Sequence, residues 1–582
     1  MAEQVRTHRV EDLAEDSSTV RLAGWVDSRR DHGGVIFYDL RDSSGMVQVV
    51  VDPDANPELA EVAHSIRLEY CIAIAGTVRP RPEGTVNPDM ATGAIEVAVD
   101  ELTVLSASDP LPFQIDDRVD VDEAKRLEYR YLDLRRPQMA ANLKARSKAV
   151  SAIRRQMDDM GFMEVETPTL IRSTPEGARD LLVPSRLRHG DFYALPQSPQ
   201  LFKQLLMISG VDRYYQIARC YRDEDTRADR QIEFTQLDIE GAFWGQDDVL
   251  AAIEPAVAAA TEAVRGVRPQ TPFARMTWQE SMDRFGTDKP DTRFGMELVD
   301  LSTAFAATEF KAFSGALAGG GVVRGINAGP QELARSGLDG LVELAQEKGA
   351  KGLVWMFVED DGSLRSPVAK FLGDEEKVSL VKMLGASQGD LLLIVADTAL
   401  VAGAVLGDLR LRFGKPDSHD ELQYLWVVDF PVFEHTSSGE LAPAHHPFTA
   451  PVDVEEMATD PANAASKAYD LVVNGVELGS GSVRIHDPET QRKVFEVLGI
   501  SNESAEAKFG WFMEALRYGT PPHAGFAVGI DRLVSILQNE ENIRQVMPFP
   551  KTQSGADPLT GAPTRVDDAQ LAELGIKLVA ED

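Results

Sequence analysis

The chain has 582 residues, of which 43% are hydrophobic and 26% charged, a balance typical of soluble globular proteins. A prior of roughly 100–200 residues per domain predicts three to five domains. The formal net charge of −34 excludes a protein that coats nucleic acid non-specifically, because counterion release requires clustered lysine and arginine. No apolar run approaches the roughly 18 residues of a membrane span, and the first residues lack a secretory signal pattern. We therefore expect a cytoplasmic protein outside the membrane, with Cys71 and Cys220 as buried thiols.

The first 105 residues have the pattern of a small β-barrel. A helical spacing over Asn56–Leu68 lies between the third and fourth of five short apolar segments, which is the order of an OB-fold, a barrel that binds oligonucleotides. A generic small barrel is the alternative. The predicted strands are Val20–Val26, Val35–Leu40, Met46–Val51, Cys71–Val78 and Ala94–Leu105.

Polar and aromatic side chains on the first three strands favour the OB-fold over a generic barrel. Arg30 supplies positive charge, Phe37 a ring on which a base can stack, and Gln48 an amide for base edges. We expect these three residues to contact a nucleic acid.

The rest of the chain divides into segments of different amino-acid composition. Residues 106–125 are rich in proline and acid and predict a linker, and residues 299–416, rich in glycine and alanine, predict an inserted α+β domain. The segments 126–298 and 417–555 then form one domain in two parts, and 556–582 form a C-terminal extension. Further expected elements are helices over Lys144–Asp159 and Ala569–Leu578 and a strand over Phe162–Pro168.

Three segments of the two-part domain carry a family resemblance. They resemble motifs 1, 2 and 3 of the class II aminoacyl-tRNA synthetases, in that order: Gly161-Phe-Met-Glu-Val-Glu-Thr-Pro168, Tyr221-Arg-Asp-Glu-Asp-Thr-Arg-Ala-Asp-Arg-Gln-Ile-Glu-Phe234 and Gly525-Phe-Ala-Val-Gly-Ile-Asp-Arg532. With the barrel and the insertion, nearly the whole chain resembles the bacterial-type aspartyl-tRNA synthetase family.

The resemblance implies a fold and an activity. The fold would be multidomain α+β: an N-terminal OB-fold barrel, an antiparallel catalytic sheet with flanking helices, and an inserted GAD-type domain. The enzyme would join L-aspartate to tRNA(Asp) with ATP and Mg²⁺, and it would be a homodimer through motif 1. Arg30, Phe37 and Gln48 would then face the anticodon.

Activation of a carboxylate by ATP requires positive charge at the α-phosphate, where negative charge accumulates as pyrophosphate leaves. A guanidinium suits this position because it stays charged and offers a planar fork, so we assign Arg222 and Arg532 as catalytic and ATP-binding residues. For Arg222 the alternative is a surface ion pair with its acidic neighbours. By resemblance the ATP-binding set also includes Asp223, Glu224, Gln231, Glu477, Gly529, Ile530 and Asp531.

Asp470 and Glu477 lie seven residues apart in a predicted strand–turn–strand segment. By resemblance they hold Mg²⁺, which prefers one or two carboxylates together with phosphate and water oxygens. Two solvated carboxylates are the alternative. Motif 3 and the segment after Glu477 depart from the family pattern, with Ala527 and Ser480 where glycine is common.

A pocket for aspartate must offer donors to the side-chain carboxylate and acceptors to the ammonium group, since a buried charge has to be paired. Gln200, Lys203 and Arg484 are the expected donors, and Glu176 and Asp238 the expected acceptors. The resemblance adds His445 and His446 beside the substrate. As a metal site the adjacent pair lacks a third ligand at useful spacing.

The choice of tRNA depends on residues near the last anticodon base. The predicted loop Arg29–Gly34 carries His32 where strictly selective relatives have leucine, and Gly84 adds no side chain in a second loop. This pairing resembles the non-discriminating type, which also charges tRNA(Asn). The alternative is a strictly tRNA(Asp)-specific enzyme in which His32 is a solvated loop residue.

Other functions remain as competing hypotheses. A non-catalytic RNA-binding paralogue would have lost Arg222, Arg532 or Glu477, and all three are present. A lysyl enzyme would not keep both Lys203 and Arg484, and an asparaginyl enzyme fits the insertion less well. An amide-forming ligase would have little use for the polar face of the barrel.

Overall fold

The structure, a computed structural model, describes residues 5–15, 18–174, 177–418, 420–436 and 439–579. The chain divides into two compact units, residues Met1–Ala140 and Ala141–Asp582.

The first unit contains a closed five-stranded barrel in the order β1-β2-β3-β5-β4. Its interior is filled by alternate apolar residues of every strand, for example Val20, Leu22 and Val26 of β1. The strands are β1 Thr19–His32, β2 Val35–Arg41, β3 Met46–Val51, β4 Cys71–Pro80 and β5 Ile95–Ser106, and the helices are α1 Ala60–Ser65, α2 Glu123–Glu128 and α3 Arg130–Asp133.

The second unit begins within the long helix α4. Its first part then supplies strands and helices of the larger domain, in which α6 ends at Gly266 in the left-handed conformation that glycine permits. These elements are α4 Pro137–Asp159, β6 Met163–Glu164, β7 Leu182–Pro184, β8 Phe192–Ala194, α5 Gln200–Ile208, β9 Arg213–Tyr221, β10 Glu233–Ala242, α6 Gln246–Arg265, β11 Ala274–Thr277 and α7 Trp278–Phe285.

The next stretch forms its own five-stranded antiparallel sheet in the order β12-β13-β16-β14-β15. Helices pack on it around the fully buried strand residues Leu391–Val395. The elements are β12 Val299–Asp300, α8 Lys311–Ala318, β13 Val322–Pro330, α9 Arg335–Glu347, β14 Val354–Val358, β15 Leu364–Arg365, α10 Asp374–Met383, β16 Asp390–Asp397 and α11 Ala399–Gly414.

The chain then returns to the larger domain and completes its sheet. The returning elements are β17 Tyr424–Val428, β18 Phe433–His435, β19 Leu441–Pro443, α12 Val454–Thr459, β20 Ala468–Val473, β21 Val476–Val483, α13 Pro488–Val497, α14 Asn502–Ala515, β22 His523–Gly529, α15 Ile530–Leu537 and α16 Asp568–Leu574.

The larger sheet has eight strands in the order β11-β17-β20-β21-β22-β10-β9-β6. The expectation of an antiparallel sheet is confirmed for its six central strands, whereas the two edge pairs, β11 with β17 and β6 with β9, are parallel. Helices α4, α6 and α15 cover one face around Trp426 and Phe526. The opposite face of the central strands carries the polar residues of the site.

Several expected elements have different limits. Strand β1 extends to His32, because pairing with β2 satisfies its backbone although its side chains there are polar, so the predicted loop is only the Gly33–Gly34 turn. The motif 1 strand is two residues long, and the C-terminal helix ends at Leu574. Cys220 is buried as expected, whereas Cys71 is half-buried. Among the described residues, no helix is long and apolar enough to cross a membrane.

Candidate functional site

A cavity of about 1320 Å³ opens on the polar face of the larger sheet. Strands β10, β20, β21 and β22 form its floor, and the segment between β9 and β10 forms one wall. Three residues of the inserted segment, Arg324, Ala399 and Leu400, belong to another wall. The cavity is therefore built from both parts of the larger domain and from the insertion.

Two carboxylates project from β10 into the floor. Asp238 and Glu240 are two residues apart on the strand, so their side chains lie on the same face. Both are almost completely buried. The Nζ of Lys203, on α5, forms an ion pair with Asp238 and lies 3.1 Å from Oε2 of Glu240. One buried ammonium group thus bridges two buried carboxylates.

Arg484 completes this cluster from the end of β21. Its Nε donates to Oε1 of Glu240 over 3.1 Å, and its Nη1 donates to Oγ of Ser482 over 2.8 Å. A side chain on Gly525, which pairs with Glu240 across β10 and β22, would meet the Glu240 carboxylate at 1.8 Å. It would also lie 2.3 Å from the backbone carbonyl of Ile239, so motif 3 begins with a glycine because β10 occupies that space.

The cluster is electrically balanced but leaves one acceptor open. Burial raises the pKa of Glu240, but the charges of Arg484 and Lys203 outweigh this effect, so the pKa is lowered. Burial raises the pKa of Asp238 despite the opposing effect of Lys203. Among the described residues, no group donates a hydrogen bond to Oδ2 of Asp238, which lines the cavity. A ligand that carries both a carboxylate and an ammonium group finds partners of both signs here.

A chain of neutral hydrogen bonds supports Gln200 behind the cluster. Gln200 Nε2 donates to Oε1 of Gln204 over 3.0 Å, and Gln204 Nε2 lies 2.9 Å from Nε2 of His523. The other ring nitrogen of His523 lies 2.8 Å from the carbonyl of Pro521, so this nitrogen carries the proton and Nε2 accepts. Burial lowers the pKa of His523, which keeps the ring neutral.

The two adjacent histidines have different environments. Nε2 of His445 lies 3.0 Å from Oδ1 of Asp470. Burial lowers the pKa of His445, but the Asp470 carboxylate outweighs this effect, so the pKa is raised. Burial, together with Arg484 and Lys203, lowers the pKa of His446 well below its usual value. Nδ1 of His446 accepts from the backbone N–H of Phe448 over 3.3 Å, which leaves the proton on Nε2. No described residue accepts that proton, so His446 offers a free donor to the cavity.

The carboxylates Asp470 and Glu477 lie on the paired strands β20 and β21. The two strands are joined by Asn474 and Gly475, both with positive φ, as a tight hairpin turn requires. Burial, and then the neighbouring Asp470, raises the pKa of Glu477. Two carboxylates that repel each other in a cavity fit a divalent cation bound with phosphate and water. Among the described residues, no cluster of three or more His, Cys, Asp and Glu could hold a metal by itself.

The motif 2 residues lie along the wall between β9 and β10. Arg222 lies over the ring of Phe234 at 5.0 Å, and no described carboxylate lies within 4 Å of its guanidinium, so the alternative of a surface ion pair is not observed. Glu224 lines the cavity near Arg230. Asp223 instead lies 3.6 Å from Arg179 and is not part of the cavity lining. Gln231 lines the cavity and accepts from the backbone of Lys551 over 2.9 Å.

The motif 3 residues lie where β22 ends and α15 begins. Arg532 lines the cavity and donates from Nη1 to the backbone carbonyl of Glu477 over 2.9 Å. Gly529 also lines the cavity. The carboxylate of Asp531 is held by Arg146 at 2.5 Å and by the backbone of Thr235.

The expected ATP contact of Ile530 is limited by its burial. The structure places its side chain in the hydrophobic core, and Ile530 is not part of the cavity lining.

The barrel carries a separate polar network. Arg30 donates to Asp39 over 2.8 Å and to Oε1 of Gln48 over 3.3 Å, and Nε2 of Gln48 donates to Glu96 over 2.9 Å. Arg79 donates to the second oxygen of Glu96 over 2.8 Å. The amide of Gln48 is therefore held in one orientation.

The remaining barrel residues with expected roles lie near the β1–β2 turn or in a separate loop. Phe37 pairs with Arg30 across the two strands and is half-buried. The ring of exposed His32 meets the Phe37 ring edge-on, with the centroids 6.0 Å apart. Gly84, in its loop, has φ of 82° and nothing within 4 Å of where a side chain would begin.

Comparison with known proteins assigns the family. Residues 122–553 match the model of the "tRNA synthetases class II (D, K and N)", and residues 20–105 match that of the "OB-fold nucleic acid binding domain". The chain belongs to the class II tRNA synthetases.

Bacterial members of this class resemble the chain over nearly their full length. The aspartate–tRNA(Asp/Asn) ligase of Anoxybacillus flavithermus is 51% identical over 584 residues, which cover 98% of each chain. That of Thermobifida fusca is 50% identical and covers 99% of each chain. The protein of Bacillus licheniformis, 50% identical with 98% coverage of each, is named an aspartate–tRNA ligase.

Solved class II structures share the fold. The asparaginyl-tRNA synthetase of Pyrococcus horikoshii, complexed with asparaginyl-adenylate, superposes with a TM-score of 0.59. It is 20% identical, and the match covers 95% of this chain and 99% of that one. The expectations of an OB-fold barrel and a class II synthetase domain are confirmed.

Most of the site residues predicted from the sequence line one cavity, but some residues that support them were not predicted. Glu176 lies outside the described residues. Glu240 was missed, although its spacing of two from Asp238 on an apolar strand was a usable signal. Asp288, which lines the cavity, had no such signal.

Proposed function

We propose that the chain attaches L-aspartate to tRNA(Asp) in an ATP-dependent reaction that passes through an aspartyl-adenylate. The observation that carries this proposal is the buried cluster of Lys203, Arg484, Asp238 and Glu240, of which the first three line the cavity. The β-carboxylate of aspartate binds the two cations, and its ammonium group binds the open Oδ2 of Asp238. The names of the full-length bacterial relatives support the same amino acid.

The reaction needs no protein nucleophile. The α-carboxylate of aspartate attacks the α-phosphorus of ATP, and the bond to pyrophosphate breaks. The terminal ribose hydroxyl of the tRNA then attacks the adenylate carbonyl and releases AMP. Arg222 and Arg532 stabilise charge on the phosphates, and the walls of the cavity hold the reactants in line.

Asp470 and Glu477 are the residues that would hold Mg²⁺. The ion would neutralise the phosphates of ATP. Its binding would also relieve the repulsion from Asp470, which raises the pKa of Glu477 in addition to the larger effect of burial. Arg532, through its bond to the Glu477 backbone, fixes this segment at the phosphate end of the cavity.

The barrel selects the tRNA through its anticodon. Arg30, Phe37 and Gln48 supply charge, a stacking surface and an oriented amide. His32 and Gly84 leave the readout of the last anticodon base permissive, so tRNA(Asn) is charged as well. Strict specificity for tRNA(Asp) is the competing function.

Two assays test these functions separately. Aspartate-dependent pyrophosphate exchange with purified protein is expected, and its absence would overturn the amino-acid assignment. Aspartylation of purified tRNA(Asn) tests the permissive readout. An efficiency more than roughly a thousandfold below that with tRNA(Asp), a gap of about 4 kcal/mol, would establish the strict enzyme instead.

The protein acts as a cytoplasmic homodimer joined through motif 1. The motif 1 strand β6 is an edge strand of the larger sheet, and Met163 on it and Leu170 after it are both more than half exposed. Exposed apolar residues at a sheet edge favour association with a second copy. Sedimentation of the purified protein tests this, and Met163→Lys should shift it toward the monomer.

A further inference from the structure

The inserted segment contacts the catalytic part of the chain through the helix α11. This helix packs against the end of α7 without intervening side chains. A side chain on Gly286 would meet the carbonyl oxygen of Gly403 at 2.1 Å, and one on Gly407 would lie 2.8 Å from the carbonyl of Phe285. The two backbones are therefore in direct contact, which only glycine permits at these positions.

Arg410, about two turns after Gly403 on α11, contacts the residues that follow α7. Its guanidinium donates to the carbonyls of Asp291, Phe294 and Gly295 at 2.8, 2.8 and 3.0 Å. It also lies between the rings of Phe285 and Phe294, at 4.7 and 3.9 Å. Burial lowers the pKa of Arg410 to about 10, so the group stays charged at neutral pH.

These contacts fix both ends of one loop, residues 286–295. Gly286 begins it against Gly403, and Gly295 ends it at Arg410. The middle of the loop faces the cavity, which Asp288 lines together with Asp470 and Glu477.

The same loop also contacts the turn that carries Glu477. A side chain on Gly475 would lie 3.3 Å from Cβ of Asp291, and Thr292 donates to Gln423 over 3.0 Å. The backbone N–H of Gln423 in turn donates to Asn474 over 2.9 Å. A shift of the loop would therefore move the β20–β21 turn as well.

We propose that α11 positions the 286–295 loop at the phosphate end of the cavity, with Arg410 as the main positioning residue, so that the inserted segment acts in adenylate formation. This proposal rests on the proposed function. It concerns ATP rather than aspartate, because the residues of the aspartate cluster lie on α5, β10 and the end of β21. In the described part of the chain, none of these elements forms a hydrogen bond or an ion pair with the loop.

The test compares Arg410→Met with Arg412→Met. Both variants remove an arginine from α11, but Arg412 is exposed. In aspartate-dependent pyrophosphate exchange, Arg410→Met should raise KM for ATP about tenfold and leave KM for aspartate within about twofold of the parent. Arg412→Met should change neither. Circular dichroism at the assay temperature establishes that each variant is folded.

Gly403→Ala provides a second, milder probe. Its methyl group would lie 3.2 Å from Cα of Gly286 and push the start of the loop. KM for ATP should rise by about threefold, again without a change for aspartate. If Arg410→Met does not fold, this variant decides the matter.

Two results would overturn the proposal. One is a folded Arg410→Met protein whose kcat and KM for ATP equal those of the parent. If Arg410→Met does not fold, the same result with Gly403→Ala would overturn it. The other is an equal rise in KM for ATP and for aspartate, which indicates general damage. A parent protein without any aspartate-dependent exchange would overturn the proposed function itself, and this inference with it.

Discussion

Arg484 and Glu240 form a buried ion pair in which Nε of the arginine lies 3.1 Å from a carboxylate oxygen. The second guanidinium nitrogen, Nη2, lies 3.5 Å from the other oxygen, so the pair is held loosely on that side. A second carboxylate, supplied by a ligand, can approach the same fork. The cluster is thus prepared for an acidic side chain before any ligand binds.

Replacing Arg484 by leucine should abolish adenylate formation. The substrate carboxylate would lose its charge-assisted partner and Glu240 would lose one of its two, a loss of about 3 kcal/mol or more, which corresponds to at least about a hundredfold in kcat/KM. Pyrophosphate exchange measures this. Arg492→Leu, at an exposed position on α13, is the control and should behave as the parent. Exchange by the Arg484 variant within about tenfold of the parent would contradict the pocket assignment.

Replacing Phe37 or Gln48 by alanine should weaken tRNA charging and leave adenylate formation intact. Loss of the stacking ring costs about 1–3 kcal/mol per base, seen as a higher KM for tRNA. Gln48→Ala also removes the amide that links Arg30 to Glu96. Arg21→Ala, on the same strand as Arg30 but in the part that pairs with β4, serves as the control. Equal damage to pyrophosphate exchange would argue against a separate role for the barrel.

His32→Leu should reduce charging of tRNA(Asn) more than charging of tRNA(Asp). The imidazole lies edge-on to Phe37, and leucine at this place removes its hydrogen-bonding capacity beside the stacking surface. We expect the ratio of the two kcat/KM values to change by about tenfold, or about 1.4 kcal/mol. The two purified tRNAs are compared in parallel. An unchanged ratio would remove His32 from the discrimination.

His523 predicts a pH dependence of stability. Its pKa is lowered by burial in the folded protein, whereas the unfolded chain binds a proton at a pKa of about 6.5. Below that pH the unfolded state binds more protons, so this residue reduces the free energy of unfolding as the pH falls, by at most about 1.4 kcal/mol per pH unit.

His523→Gln keeps an acceptor for Gln204 but does not titrate. The difference in Tm between the parent and this variant should therefore be largest near neutral pH and should narrow as the pH falls below about 6.5. Thermal melts at a series of pH values measure it. A difference that does not change with pH would mean that His523 titrates with the same pKa in the folded and unfolded states.

The sequence predicted best what depends on local pattern. The barrel strands follow from alternation in short segments, and the motif arginines from resemblance. Strand β1 was predicted too short because its last residues, including Arg29 and Arg30, are polar on both faces. Contacts such as that of Gln204 with His523, 319 residues apart, leave no periodic signal, since two neutral side chains at distant positions meet only in the folded sheet. The same holds for Arg410, whose partners are backbone carbonyls and carry no sequence identity.

Gly525 links motif 3, which carries Arg532, to the amino-acid pocket, which carries Glu240. The glycine belongs to the motif that ends at Arg532, yet the Glu240 carboxylate and the Ile239 carbonyl, both on β10, exclude a side chain there. A side chain at position 525 is therefore blocked by β10, the strand that carries the carboxylates of the amino-acid pocket. An effort to re-engineer this pocket for a different amino acid would have to keep glycine at position 525 whatever residue replaces Glu240, because the Ile239 carbonyl would still lie 2.3 Å from a side chain there.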